Sequence, residues 1–405
     1  MNHQPKQSPP RGRKLLATLG LSIVAVFGLA HFEVEADPTR RLTGVTIKAP
    51  FGPRFLPGMV VFNTVDGPSY AVDMHGEIRL AWESPDKTSE LGYTRPLGTG
   101  NVLAKVDSDP DRLVEMDQDG NIVWESVADK GTTLHHDWER LPNGDTLILC
   151  SREILVPEIS SEMLIDDCLL IVQPDGSVVW DWQTADHFDD FDFSAETKLK
   201  IAEHAGDWAH ANSASSIPEN TSHTDSRFQP GNIILSYRFI NAVAIVDIRT
   251  GDIVWRTEDS LTIGQHNAYM IPDGHPGGGH ILIFDNGFGG HYNNGGSEVM
   301  RAESRVVEID PTLVGTGQNP IIWEYNATLS GFPKYWFFSH FLGSAQRLRN
   351  SNTLIVEGSI GRVFEVTREG QIVWEYINPF LTSSPPTNRI YRAMKVPATW
   401  LESAD

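Results

Sequence analysis

One phrase recurs six times along the chain, and it constrains the fold more than any other feature. It is an alternating apolar run, a turn carrying glycine, and a second apolar run ending in tryptophan. The copies cover residues 70–82, 113–124, 169–180, 244–255, 306–323 and 363–374, the fifth with an inserted loop. Period-two alternation on both sides of a short glycine turn marks a β-hairpin. A looser strand–turn–strand phrase precedes each copy. It is clearest at 140–148 and 347–355 and weaker at 54–61, 95–103, 217–235 and 271–283. Two hairpins make a four-stranded sheet. Six such sheets, at spacings of roughly 40–75 residues, predict an all-β, six-bladed β-propeller, whose closure leaves no long free edge. The repeated tryptophans are expected to pack between blades. The one short helical candidate is 195–203, and the acidic run 186–192 reads as a solvated loop.

Composition agrees with many short strands joined by turns: 35 Gly, 25 Pro and 11 Trp in 405 residues. The 32 Lys and Arg against 53 Asp and Glu leave a net charge of −21, which argues against a nucleic-acid partner, since phosphate backbones need clustered cations.

The ends are expected to behave differently from the ring. Residues 1–36 run from a basic stretch at 11–14 through an apolar run at 15–30 to the small residues Val34 and Ala36. This is the order of an export signal, cleaved or retained as an N-terminal membrane anchor, and both readings place the body in the periplasm or outside the cell. Residues 37–45 read as a linker or a closing strand, 46–380 as the propeller and 381–405 as an extension. A strand from one end is placed to complete a sheet built by the other. Cys150 and Cys168 lie on neighbouring apolar runs. Antiparallel pairing would bring them together as a disulfide, and two buried free thiols fit the sequence equally well.

The loops that enter the innermost strands of a propeller gather around its central channel, and histidine recurs there. His135 and His136 precede Asp137-Trp138, His210 sits in Asp207-Trp-Ala-His-Ala-Asn-Ser213, His266 in Gly264-Gln-His-Asn-Ala268, and His340 in Phe338-Ser-His-Phe341. Strict alternation puts His136, His210 and His266 on one face and turns His340 away. Arg238 ends the second strand of the His210 blade, and Asn286 with Gly287 ends the equivalent strand of the His266 blade. An anion held by Arg238 and the imidazoles is the expected ligand, with His136, Asn212, Asn267 and Asn286 as further substrate contacts. A zinc or copper site is the weaker reading, because no His-x-His or His-x-x-x-His spacing occurs.

At Asp207-Trp-Ala-His-Ala-Asn-Ser213, Ile234-Leu-Ser-Tyr-Arg238, Gly264-Gln-His-Asn-Ala268 and Phe284-Asp-Asn-Gly287 the sequence resembles the arylsulfotransferase family. The likeness continues through Ser304-Arg-Val-Val-Glu-Ile-Asp310, Gly343-Ser-Ala-Gln-Arg-Leu348 and Gly361-Arg-Val-Phe-Glu-Val366. The resemblance implies an exported six-bladed propeller. It implies transfer of sulfate from a phenolic ester to a phenol through a transient sulfohistidine, with no nucleotide sulfate donor. It places the family's tryptophan-associated histidine at His210, its Gln-His histidine at His266 and its arginine at Arg238. The nucleophilic histidine is implied in a later blade, where His340 is the residue on offer. Where family members often carry an arginine after Asn-Gly, this chain has Phe288-Gly-Gly-His291. Sulfuryl transfer suits these residue types. A neutral imidazole attacks, cations or imidazolium hold the sulfuryl oxygens, and a histidine such as His210 exchanges the phenolic proton. No nucleotide-binding fingerprint is present, and no cofactor is expected. The alternatives are a non-enzymatic binding propeller and a quinoprotein-like dehydrogenase. The latter class has eight blades and a vicinal cysteine pair, against six repeats and two separated cysteines here.

Overall fold

The computed structural model describes residues 42–48, 55–87, 90–292 and 300–404. Six sheets, antiparallel apart from a two-residue parallel pairing of Gly206–Asp207 in the third, are arranged as the blades of a propeller. Their innermost strands, in ring order, are Ile390–Val396, Leu91–Pro96, Thr132–Arg140, Ala211–Ser216, His266–Met270 and Ser344–Arg347. The six repeated phrases are the third and fourth strands of the six sheets.

The first blade departs from expectation. The 54–61 phrase is not its inner hairpin. Met59–Thr64 is its second strand, and the chain's last strand, Ile390–Val396, takes the innermost place. The ring therefore extends past residue 380 into the segment expected to be an extension. At the other end Gly44–Lys48 adds a fifth, outermost strand to the sixth blade by pairing with Ile372–Ile377. Both ends thus close the ring, as inner strand of one blade and outer strand of its neighbour. The export segment expected at 1–36 lies outside the described residues, and among the described residues no helix is long and apolar enough to cross a membrane.

The core is divided among the six interfaces between blades, one apolar cluster at each. Tryptophan adds a directed contact. The indole Nε1 of Trp82, Trp124, Trp255, Trp323 and Trp374 donates to a carbonyl in the third-to-fourth-strand turn of the next blade, at 2.8–3.1 Å. In the third blade Trp182, not Trp180, makes this bond, to the Gly251 carbonyl at 2.8 Å. The Trp374 bond to the Met74 carbonyl, 3.1 Å, crosses the seam between the last blade and the first. Trp374→Phe removes that bond and strands a buried carbonyl, so denaturant unfolding should report a loss of about 1–3 kcal/mol.

The third blade is the most elaborated. Its second and third strands, Thr146–Ile154 and Leu164–Val172, pair over their full length, with Cys150 opposite Cys168. Their Cα atoms are 4.8 Å apart and the sulfurs are bonded. The acidic run expected to be a loop lies largely in a 3₁₀ helix, Thr184–Phe191, which buries Phe188 and Phe191 against Trp208. The helix Ala195–His204 follows, capped by the Ser194 hydroxyl, which accepts from the Thr197 amide.

Candidate active site

The innermost strands are not regular where they enter the channel. Five of the six carry a register shift against their neighbour, at residues 91–94, 134–138, 211–213, 266–269 and 390–393. A bulge inserts residues on one strand only and re-aims the side chains there. His136, His210 and Asn267 sit in or beside these bulges with φ of 59°, 56° and 49°. Left-handed backbone is unfavourable for such residues and is held by the surrounding ladder. Its consequence is local: His135 and His136, which regular alternation would send to opposite faces, touch each other through their Nδ1 atoms at 2.8 Å.

His136, His210 and His266 converge. The His136 and His210 rings meet edge to face at 5.1 Å, and both lie within the electrostatic reach of His266. Each ring is held at Nδ1 by a different partner. His266 Nδ1 lies 2.8 Å from Asn286 Oδ1. The Asn286 amide nitrogen donates to the carbonyls of Ser339 and Leu342 at 2.6 and 2.8 Å, so Oδ1 must accept and the His266 proton must sit on Nδ1. His210 Nδ1 bonds the Asp207 carboxylate, which likewise fixes its proton on Nδ1 when the ring is neutral. His136 Nδ1 is taken by His135. Nε2 is the ring nitrogen outside these bonds in all three.

Arg238 joins the cluster. Its backbone amide donates to the His210 carbonyl at 2.9 Å, which seats it at the end of its strand. Its guanidinium lies against Gly289, where a Cβ atom would come within 2.6 Å of Nη2 and φ is 86°, so only glycine fits. Among the described residues its buried Nε has no hydrogen-bond partner. Burial pulls the Arg238 pKa down, against the Asp207 carboxylate. Burial first, and then Arg238, hold His266 well below the usual imidazole range. Burial, followed by His135, His210, His266 and Arg392, does the same for His136. Both rings are therefore neutral near pH 7.

Two groups complete the site that sequence reasoning did not place there. His291 stacks on Phe239 at 3.8 Å, and Phe239 stacks on His210 at 4.5 Å. Burial, then Arg238 and His210, push the His291 pKa down to about 4. The signal was present as the histidine in Phe288-Gly-Gly-His291, standing near the position of the family's arginine. Arg392, on the closing strand, is buried and bonds Asp137 at 2.8 Å and the Asn212 carbonyl at 3.0 Å. Its charge reaches His136 and His266. The alternation of 390–396 marked a strand but not which sheet it would enter.

The remaining candidates are placed as follows. Asn286 is fully engaged in holding His266 and the 339–342 loop, which makes it a positioning residue. The Asn212 side chain donates to the Gln265 carbonyl at 2.8 Å, while its Oδ1 is buried without a partner. Asn267 accepts from the Ala345 amide at 3.2 Å and faces a cavity of about 760 Å³ lined by the later residues of the inner strands. His340 lies in the 339–342 loop that the Asn286 side chain ties to His266. It packs among Phe288, Phe338 and Phe341, at ring distances of 6.1, 6.1 and 4.4 Å. Its blade has no register shift between the first two strands, and His340 precedes that strand in a loop. Asp137, buried, takes Arg95, Arg392 and the amides of Trp138 and Ala214, which leaves it a structural anchor. Among the described residues no three His, Cys, Asp or Glu side chains are grouped to hold a metal.

Two guanidinium groups and four imidazoles are gathered here, with the nearby carboxylates tied to histidine or arginine, a charge balance that would suit an anion. A protein of unknown function from Bacteroides caccae is similar in fold, with TM-score 0.51 at 14% identity, covering 84% of this chain and 99% of that one. A streptogramin B lyase gives TM-score 0.43 at 11% identity, covering 83% and 82%. No curated protein matches the sequence. The family model described as Arylsulfotransferase (ASST) matches residues 45–379, which takes in five whole blades, most of the first, and every clustered residue above except Arg392. The chain belongs to the arylsulfotransferase family.

Proposed function

We propose that the protein transfers a sulfuryl group from a phenolic sulfate ester to a phenol, through a sulfohistidine at His266 and without a nucleotide donor. The observation that carries this reading is the set of Nδ1 anchors, which differ in charge. His266 is anchored by a neutral amide and kept unprotonated by burial and Arg238, so its Nε2 lone pair is available to attack sulfur. His210 is anchored by a carboxylate, which stabilises the imidazolium formed when its Nε2 takes a proton. This assigns the nucleophile to His266 in place of His340.

In the first half-reaction the His266 Nε2–sulfur bond forms and the sulfur–phenolic oxygen bond breaks. The leaving phenoxide takes the Nε2 proton of His210 imidazolium. In the second, neutral His210 removes the acceptor phenol's proton as its oxygen attacks the sulfohistidine, and His266 leaves as neutral imidazole. Protons balance over the cycle. Arg238 and Arg392 supply fixed positive charge to the sulfuryl oxygens. We place the enzyme outside the cytoplasm on the residue order over 11–36, with small-molecule phenols as its partners.

The test is p-nitrophenyl sulfate with an acceptor phenol. Nitrophenolate colour should develop only with acceptor present, beyond a first turnover. Arg238→Ala should lower the rate about 10²-fold or more, near 3 kcal/mol of transition-state stabilisation. No colour with any phenolic acceptor leaves the binding-propeller reading in its place.

A further inference from the structure

His135 and Asp167 have no part in the chemistry above, yet they form a line leading into it. Asp167 is buried, with Oδ2 accepting the Ala211 amide at 2.8 Å and Oδ1 3.3 Å from His135 Nε2, an ion-pair contact in which the buried Nε2 makes no hydrogen bond among the described residues. His135 Nδ1 meets His136 Nδ1 at 2.8 Å, so one of the two must donate and the other accept. Two arrangements satisfy the line. In the first, neutral His135 keeps its proton on Nε2 toward Asp167 and accepts from His136 Nδ1–H, which leaves His136 Nε2 a bare lone pair. In the second, one added proton makes His135 an imidazolium. It then donates to His136 Nδ1, its charge set against the Asp167 carboxylate 3.3 Å from Nε2, and neutral His136 carries its proton on Nε2.

We propose that His135 and Asp167 are positioning residues that store one proton and thereby convert His136 Nε2 from a lone pair into a hydrogen-bond donor for the bound anion. The reading rests on the anion-binding role given to the cluster above. Its electrostatics suit the task. His136 faces His210, His266, Arg392 and the Tyr391 ring, so a charge placed on His136 itself is disfavoured. His135 lies one ring further out, against a carboxylate. Asp167 has Asp166 beside it, and burial raises Asp166 to about 7 while Trp208 Nε1 and the Ala185 amide hold its oxygens. Asp137, next in sequence, is committed to Arg95 and Arg392. Asp167 is thus the carboxylate that faces His135. The proton enters from solvent when the anion binds and returns when it leaves.

The test uses naphthalene-2-sulfonate, whose sulfur is bonded to carbon and cannot be transferred. Its affinity is measured by titration calorimetry between about pH 6 and 8, where imidazole titrates. One coupled proton adds about tenfold weakening per pH unit. The slope in His135→Gln should be shallower than wild type by that amount, because a glutamine amide donates to His136 without titrating. Asp167→Asn should be as shallow and weaker at low pH, and His266→Ala should keep the wild-type slope. Thermal unfolding of each variant checks that it folds. Equal slopes in wild type and His135→Gln, or no sulfonate binding at any pH, overturn the proposal. Nitrophenolate release on the same preparation separates the two claims. An active enzyme with equal slopes keeps the transferase reading and loses this one.

Discussion

His266→Ala should abolish sulfuryl transfer, by roughly 10³-fold or more, the scale seen when a covalent catalytic group is removed. The argument runs through Asn286. Its amide nitrogen is spent on two carbonyls, so its oxygen accepts and the His266 proton is fixed on Nδ1. Only a ring in that tautomer presents a lone pair at Nε2. His210→Ala should behave differently. It should slow sulfuryl loss from poor leaving groups about 10²- to 10⁴-fold, the range for a general acid, and spare the first half-reaction of nitrophenyl sulfate, whose phenoxide leaves without a proton, while transfer on to the acceptor is still slowed. If both variants lose activity equally across leaving groups, the division of labour between them is wrong.

Arg392→Leu should cost about 3 kcal/mol or more of stability in urea unfolding, together with most of the transfer activity. The side chain is buried, bonds Asp137 and the Asn212 carbonyl, and packs on the Tyr93 ring at 4.7 Å. Removing one member of a buried pair leaves a charge without compensation, and here Arg95 alone would remain for Asp137. Arg392 also ties the closing strand to the strands that carry His136 and His210. Arg392→Lys should fall between, since an ammonium keeps the charge but not the planar fork that reaches both partners. A variant as stable as wild type would mean that the Asp137 pairing contributes little to ring closure.

The blade count and the packing role of the repeated tryptophans were legible because each repeat carries its own hairpin signals. Two things were not fully so. The first blade borrows its inner strand from the C-terminus, and pairing between strands more than 300 residues apart leaves no local mark at 54–61. The side-chain register of the channel was legible only in part, for a physical reason. Counting by twos assumes regular strands, whereas five inner strands bulge where they meet the mouth. The count treated His340 as a strand residue of the wrong parity, whereas His340 precedes its strand. It could not foresee that a bulge brings His135 and His136 together. Trp182 shares a face with Trp180, two residues away, and the repeat alone could not choose between them. His210 and His266 were singled out by parity as well as by their surrounding motifs, and Arg238 by its place at the end of its strand.

The central claim is that His266 carries the sulfuryl group between donor and acceptor. The direct measurement is to mix the enzyme with p-nitrophenyl sulfate without acceptor, quench in alkali, digest, and locate the adduct by mass spectrometry. A sulfuryl group on the peptide containing His266, lost on adding phenol before the quench and absent in His266→Ala, is the predicted result. An adduct on His340, His136 or His210 that persists in His266→Ala would contradict it.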